Sequence, residues 1–165
     1  MLADANLYHD KVTGRSATEL LMMLNCTLID WFNKKQNCAE TATYGSEFVA
    51  ARVGADKIVE MRYMLRMLGA PMSGPSTMFG DNLAVINSSD IPDGTLKKSH
   101  NTLLYHRVRE AIAAQIIKFY HINGKENPTE VLIRFFSSKI WWHLLKSILH
   151  WPKDNDDEKS KTTGL

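Results

Sequence analysis

From Thr41 to Leu68 the chain carries neither a proline nor a polar break. Tyr44, Phe48, Ala51, Ala55, Ile58, Leu65 and Leu68 recur there at three- to four-residue steps or sums of them. That period is the signature of an amphipathic α-helix, and Gly69 followed by Pro71 supplies its stop. A long helix with one apolar stripe must bury it against another layer. Gly45 and Gly54 cost helix propensity and mark points where a neighbouring element can approach closely.

The flanking segments supply strands for that layer. Met1–Asp4 reads as the end of a strand, leaving only a truncated first strand, and 6–15, with Asp10 and Gly14, reads as a turn. Ser16–Leu24 and Thr27–Asn33 are apolar segments separated by Asn25-Cys26, which fits a hairpin. The second alternates cleanly, with Ile29, Trp31 and Asn33 against Leu28, Asp30 and Phe32. The first is ambiguous, because Glu19–Leu24 also has high helix propensity. After the long helix come a short strand at Ser76–Gly80, a short helix at 82–88 and a loop at 89–95. A second good helix spans 98–115, a strand spans 116–122, and Asn123-Gly124 ends it with a turn signal. Pro128 opens a last helical region over 129–149. The order β-β-β-α-β-α-α-β-α predicts an α/β fold with a mixed sheet, antiparallel at one side, and helices on both faces.

A chain of 165 residues accommodates one ordinary domain, placed at residues 1–151, with a polar tail at 152–165 expected to be disordered. Its net charge of +2 does not by itself announce a nucleic-acid binder. Cys26 and Cys38 lack metal-ligand spacing and read as free thiols. No apolar run reaches the length of a membrane span. No glycine-rich phosphate loop is present, which disfavours a small-molecule α/β enzyme.

Four carboxylates stand where such a fold can gather them: Asp4 at the first strand, Glu47 early in the long helix, Asp81 at the end of the fourth strand and Glu130 at the start of the last helix. They form no local motif, so any convergence comes from the fold. Hydrolysis of a phosphodiester with two divalent ions about 4 Å apart needs such a set of hard oxygen ligands. Sharing the ions requires the carboxyl groups of Asp4, Glu47 and Asp81 to lie within about 8 Å of one another. The bland alternatives are helix-dipole partners and caps.

The residues around these carboxylates carry a resemblance. Asp4–Asp10 with Thr13–Ser16, Ile29–Gln36, Glu40–Ala51, Phe79-Gly80-Asp81-Asn82, and His100-Asn101 with Tyr105–Glu110 resemble, in order, segments of the ribonuclease H domain of copia-type retrotransposon polyproteins. The resemblance covers roughly residues 3–135. It implies a ribonuclease H-like sheet of about five strands and metal-dependent cleavage of the RNA strand in RNA–DNA hybrids. The implied cofactors are two Mg²⁺ or Mn²⁺ ions on Asp4, Glu47, Asp81 and Glu130. The implied partners are the hybrid and the reverse transcriptase portion of the parent polyprotein, in a cytoplasmic particle or the nucleus. Several positions depart from the family pattern. Asn127-Pro128-Thr129-Glu130 carries Glu where Asp is usual, Leu83 follows Asp-Asn, Glu19 replaces a small or apolar strand residue, and 133–136 reads Ile-Arg-Phe-Phe. These departures keep a second reading open: a decayed, non-enzymatic remnant that binds nucleic acid or protein.

Lys34, Lys35, Lys98 and His100 are candidates for substrate phosphates, and such contacts would make binding salt-dependent. The bland reading of the lysines is a solvated surface. His106 reads as structural, His121 as a core or edge residue, and Trp141, Trp142 and Trp151 as core packing.

Overall fold

The computed structural model describes residues 1–10, 12–25, 27–40, 42–90, 102–132, 142 and 144–146. Five strands form one sheet in the order β3-β2-β1-β4-β5. The strands are β1 Leu2–Asp10, β2 Arg15–Leu24, β3 Thr27–Lys35, β4 Ser76–Gly80 and β5 Ile117–His121. β1, β2 and β3 pair antiparallel, whereas β1–β4 and β4–β5 are parallel. Helix α1 spans Thr43–Met67, α2 Leu83–Asp90 and α3 Thr102–Ala113. α2 and α3 form the crossover that parallel strands β4 and β5 require.

The expected order of elements is observed, with differences that have physical causes. The first strand does not stop at Asp4 but continues to Asp10, because its residues keep pairing with β2 as far as Asp10↔Arg15. The turn contracts to the segment before Arg15, where Gly14 has φ 66°. The ambiguous second segment is a strand. Lying between β1 and β3, it is buried from Ser16 through Met22, and that packing overrides its helix propensity. β3 is an edge strand and keeps the expected alternation, leaving Ile29 and Trp31 exposed. The last helical region begins as 3-10 turns at Gly124–Glu126 and Pro128–Leu132. Most of 133–149, and the whole 152–165 tail, lie outside the described residues. Trp142 is exposed, so it does not take the core role expected of it; Trp141 and Trp151 are outside the described residues.

The core has two sides. Phe48, Ala51, Ala55 and Ile58 of α1 pack with Met78, Val85, Tyr105, Val108 and Ile117. On the opposite face Leu2 and Leu21 pack with Phe79, Ile122, Leu132 and Leu145. Beyond Ile58 the helix has no fully buried residue, although Arg62 still reaches the Ser76 hydroxyl of β4, and Met67 and Leu68 are exposed. Glu47, Ala51, Gly54 and Ile58 follow one another at steps of four, three and four, so the buried stripe of α1 carries a carboxylate at its amino end.

The two helix glycines permit close approach in different ways. A Cβ on Gly54 would meet the flexible tips of Met78 and Met1 at 3.1 and 3.2 Å. A Cβ on Gly45 would overlap the carboxylate of Glu40, a buried side chain. Gly54→Ala is therefore expected to be neutral or stabilising by up to about 1 kcal/mol, the helix-propensity gain. Gly45→Ala is expected to destabilise by roughly 1 kcal/mol or more despite the same gain. Denaturant midpoints of the two variants check this; equal shifts would contradict it.

Candidate metal centre

Strand pairing brings two of the acidic residues together. In the parallel pair of β1 and β4, Leu2 lies opposite Phe79. Two residues further on, both chains present a carboxylate on the same side: Asp4 within β1 and Asp81 just past β4. Asp81 is fixed there because α2 starts immediately after it. The Asn82 side chain accepts from the N–H groups of Ala84 (3.0 Å) and Val85 (3.3 Å), which satisfies the free donors at the helix start. The Asp-Asn pair thus divides its work, with Asn82 capping and Asp81 facing the site. Glu47 arrives from the first turns of α1.

One carboxylate oxygen from each of Asp4, Glu47 and Asp81 lies within 4.8 Å of the others. Asp4 and Glu47 are buried and Asp81 is half-buried. Asp4 Oδ1 accepts from the Ala5 N–H at 2.8 Å, and Oδ2 accepts from the Thr129 hydroxyl at 3.4 Å. A cleft of about 260 Å³ opens beside them, lined by Asp4, Ala5, Asn6, Leu7, Thr43, Glu47, Asp81 and Glu130. Glu130 lines the cleft and adds to the negative field at Asp4, but it stands outside the close group of three.

No lysine or arginine lines the cleft among the described residues. Burial, then repulsion by Asp81, pushes the Asp4 carboxyl up to about 6, against the opposing Ala5 N–H. Burial, then Asp4 and Asp81, raises Glu47 well above the usual carboxylate range. Hard oxygen donors, close spacing and uncompensated negative charge fit a divalent cation such as Mg²⁺ or Mn²⁺.

The substrate candidates fare unevenly. Lys34 is exposed on β3. Lys35 is not free, because it pairs with Asp10. That contact, with the Thr13 hydroxyl and the Val12 N–H, holds the Asp10 carboxyl well below its usual range. Lys98 and His100 lie outside the described residues. His106 is exposed and meets Tyr105 edge-on. His121 is an edge-strand residue, but its Nε2 lies 3.0 Å from the Asp81 carbonyl, a contact the sequence did not signal. Gly124 packs against the Asp81 side chain, at 3.3 Å from a would-be Cβ. Cys38 is a free, exposed thiol. No helix among the described residues is long and apolar enough to cross a membrane.

The raised values set a sign for stability without metal. The folded value of Asp4 exceeds its ordinary 3.8, so between about pH 4 and 6 the folded state binds more protons than the unfolded state. The contribution of this group to stability therefore falls as pH rises through that window. In chelator, Asp4→Asn is expected to melt higher than wild type at pH 7, with the advantage shrinking toward pH 4. Calorimetric melts across that range test this; a lower melting point for the variant at pH 7 would rule out the repulsion.

The chain is 24% identical over 131 residues to the retrovirus-related Pol polyprotein from transposon TNT 1-94 of Nicotiana tabacum. The match takes in 79% of this chain and spans about a tenth of that relative's length. No family model matches the chain. Among solved structures, it is similar to RNase H1 of Halobacterium salinarum NRC-1, at TM-score 0.57 and 10% identity, covering 78% of this chain and 87% of that one. It is also similar to the N-terminal RNase H domain of a Mycobacterium tuberculosis protein, at TM-score 0.59 and 13% identity, covering 89% and 95%. LC11-RNase H1 in complex with an RNA/DNA hybrid matches at TM-score 0.56 and 11% identity, covering 76% and 86%. The chain has the ribonuclease H fold and resembles, in sequence, part of a retrotransposon Pol polyprotein.

Proposed function

We propose that this chain is a metal-dependent endonuclease that cleaves the RNA strand of RNA–DNA hybrids, as the ribonuclease H portion of a retrotransposon polyprotein beside its reverse transcriptase. The domain occupies residues 1–151. The observation that carries this reading is the meeting of Asp4, Glu47 and Asp81 within 4.8 Å. The solved relative bound to an RNA/DNA hybrid supports the substrate class.

Asp4, Glu47 and Asp81 would hold two Mg²⁺ or Mn²⁺ ions, with Glu130 contributing from the rim of the cleft. Bound there, divalent ions supply the positive charge that activates water for in-line attack on the phosphodiester and steadies the leaving oxygen. The protein's own part is positional. Thr129 and the Ala5 N–H fix the two oxygens of Asp4. The carboxylates repel a phosphate until their charge is neutralised, so cleavage requires the loaded site. Exposed Lys34 is available for a backbone phosphate, a contact that positions a nucleic acid without reading its sequence. A hybrid would be recognised by its A-form shape and 2′-hydroxyls.

The second reading is a remnant that binds hybrid or protein without cutting it. It is favoured by the position of Glu130 outside the close group of three.

Cleavage of a labelled hybrid separates the two readings. Wild type with Mg²⁺ is expected to cut the RNA strand, and Asp81→Asn to lose roughly a hundredfold or more. Glu130→Gln should lose less, about tenfold. Activity should fall as pH drops through about 6, where Asp4 takes up its proton, and added Mg²⁺ should oppose that fall. Equal cleavage by wild type and Asp81→Asn would reject the assignment, and hybrid binding without cleavage would favour the remnant.

A further inference from the structure

We propose that Gln36 is a positioning residue for Glu47, acting through the carbonyl of Ser46 and tying the first turn of α1 to the sheet beside Asp4. The inference rests on reading Asp4, Glu47 and Asp81 as a divalent-ion site.

Gln36 follows β3 and is 4% exposed. Its backbone N–H donates to the Ser16 carbonyl at 2.7 Å, anchoring it to β2. Its side-chain Nε2 donates to Thr18 Oγ1 at 3.0 Å and to the Ser46 carbonyl at 2.9 Å. A carbonyl only accepts, so the contact with Ser46 fixes which end of the amide points at the helix. Thr18 is the cross-strand partner of Ala5, whose N–H holds Asp4. Ser46 directly precedes Glu47. One buried amide thus joins the strand pair that carries Asp4 to the helical turn that carries Glu47.

Apolar packing holds the turn from one side, through Phe48 in the core and Tyr44 against it, and polar contacts at its start are sparse. The residue at the start of α1, Ala42, provides no side-chain cap, and no acidic residue lies in the first turn. The Glu40 carboxylate lies against Gly45, but it belongs to the same local segment as the helix start. Gln36 links the helix to β2, so it can set how far Glu47 stands from Asp4.

The arrangement also carries a cost that a purely stabilising contact would avoid. Gln36 Oε1 and the neighbouring Ser16 Oγ are buried with no hydrogen-bond partner among the described residues. Such orphans disfavour the folded state, and replacing a bonded pair by apolar groups of similar shape can be nearly neutral. Gln36→Leu with Thr18→Val removes the amide, its orphan oxygen and the hydroxyl it binds. The Ser46 carbonyl keeps its place in the helix ladder.

Binding of Mn²⁺ alone to the full chain, followed by paramagnetic resonance of the free ion, tests the inference without requiring cleavage. The double variant is expected to bind Mn²⁺ roughly tenfold more weakly, the usual scale for losing a supporting contact, while melting within a few degrees of wild type. Ile58→Ala, a core truncation three turns along the same helix, is expected to melt lower and keep wild-type Mn²⁺ affinity. Unchanged Mn²⁺ affinity in the double variant would overturn the positioning role. Loss of its cooperative melt would also overturn it, marking Gln36 as a determinant of the fold. No Mn²⁺ binding by wild type would instead overturn the metal-site reading on which the inference rests.

Discussion

The parallel pairing of β1 with β4 decides what the rest of the molecule can do. It places Leu2 opposite Phe79, and so sets Asp4 beside Asp81 two residues later. A one-residue slip would turn one of the two carboxylates to the other face of the sheet. The apolar pair below them resists that slip, because Leu2 and Phe79 both pack on the face that Leu21, Leu132 and Leu145 cover. The hydrophobic layer therefore works as the alignment device for the polar one. Glu47 is then delivered by a helix whose buried stripe would otherwise be wholly apolar or small.

Gathering three acids in a partly buried corner opposes folding, and the structure offsets this with few contacts. Asp4 has one backbone N–H and one hydroxyl, and the rest of the compensation is protonation or a cation. A site built this way is at its least comfortable near neutral pH when empty. Its stability and its affinity for a divalent ion are two readings of one electrostatic imbalance.

Much of this was legible in the residues. Regular spacing from Tyr44 to Leu68 gave the long helix, and the turn signal at Asn123-Gly124 gave the end of one strand. The motif words around Asp4, Glu47 and Asp81 pointed to residues that the fold does bring together. Other features were hidden for identifiable reasons. The extent of β1 past Asp4 depends on pairing with β2, a non-local contact that local turn residues such as Asp10 obscured. The strand nature of Glu19–Leu24 is a product of burial between two neighbours, against its own propensity. Lys35 looked like a free cation because nothing in its immediate sequence reveals Asp10, which reaches it only across the sheet. Gln36 and His121 likewise acquire meaning only through partners ten and forty residues away.

The central place of β1 in the sheet bears on the order in which the molecule can assemble. Asp4 finds Glu47 only after α1 has formed, Asp81 only after β4 has paired, and the Thr129 hydroxyl only across a separation of 125 residues. Contacts so distant in sequence close late and slow folding. As the chain leaves a ribosome, the antiparallel meander β1-β2-β3 can form while the acidic corner is still open. The centre is therefore completed only once Thr129 has emerged, so a chain truncated before Thr129 keeps most of its sheet while Asp4 lacks one of its two anchoring contacts.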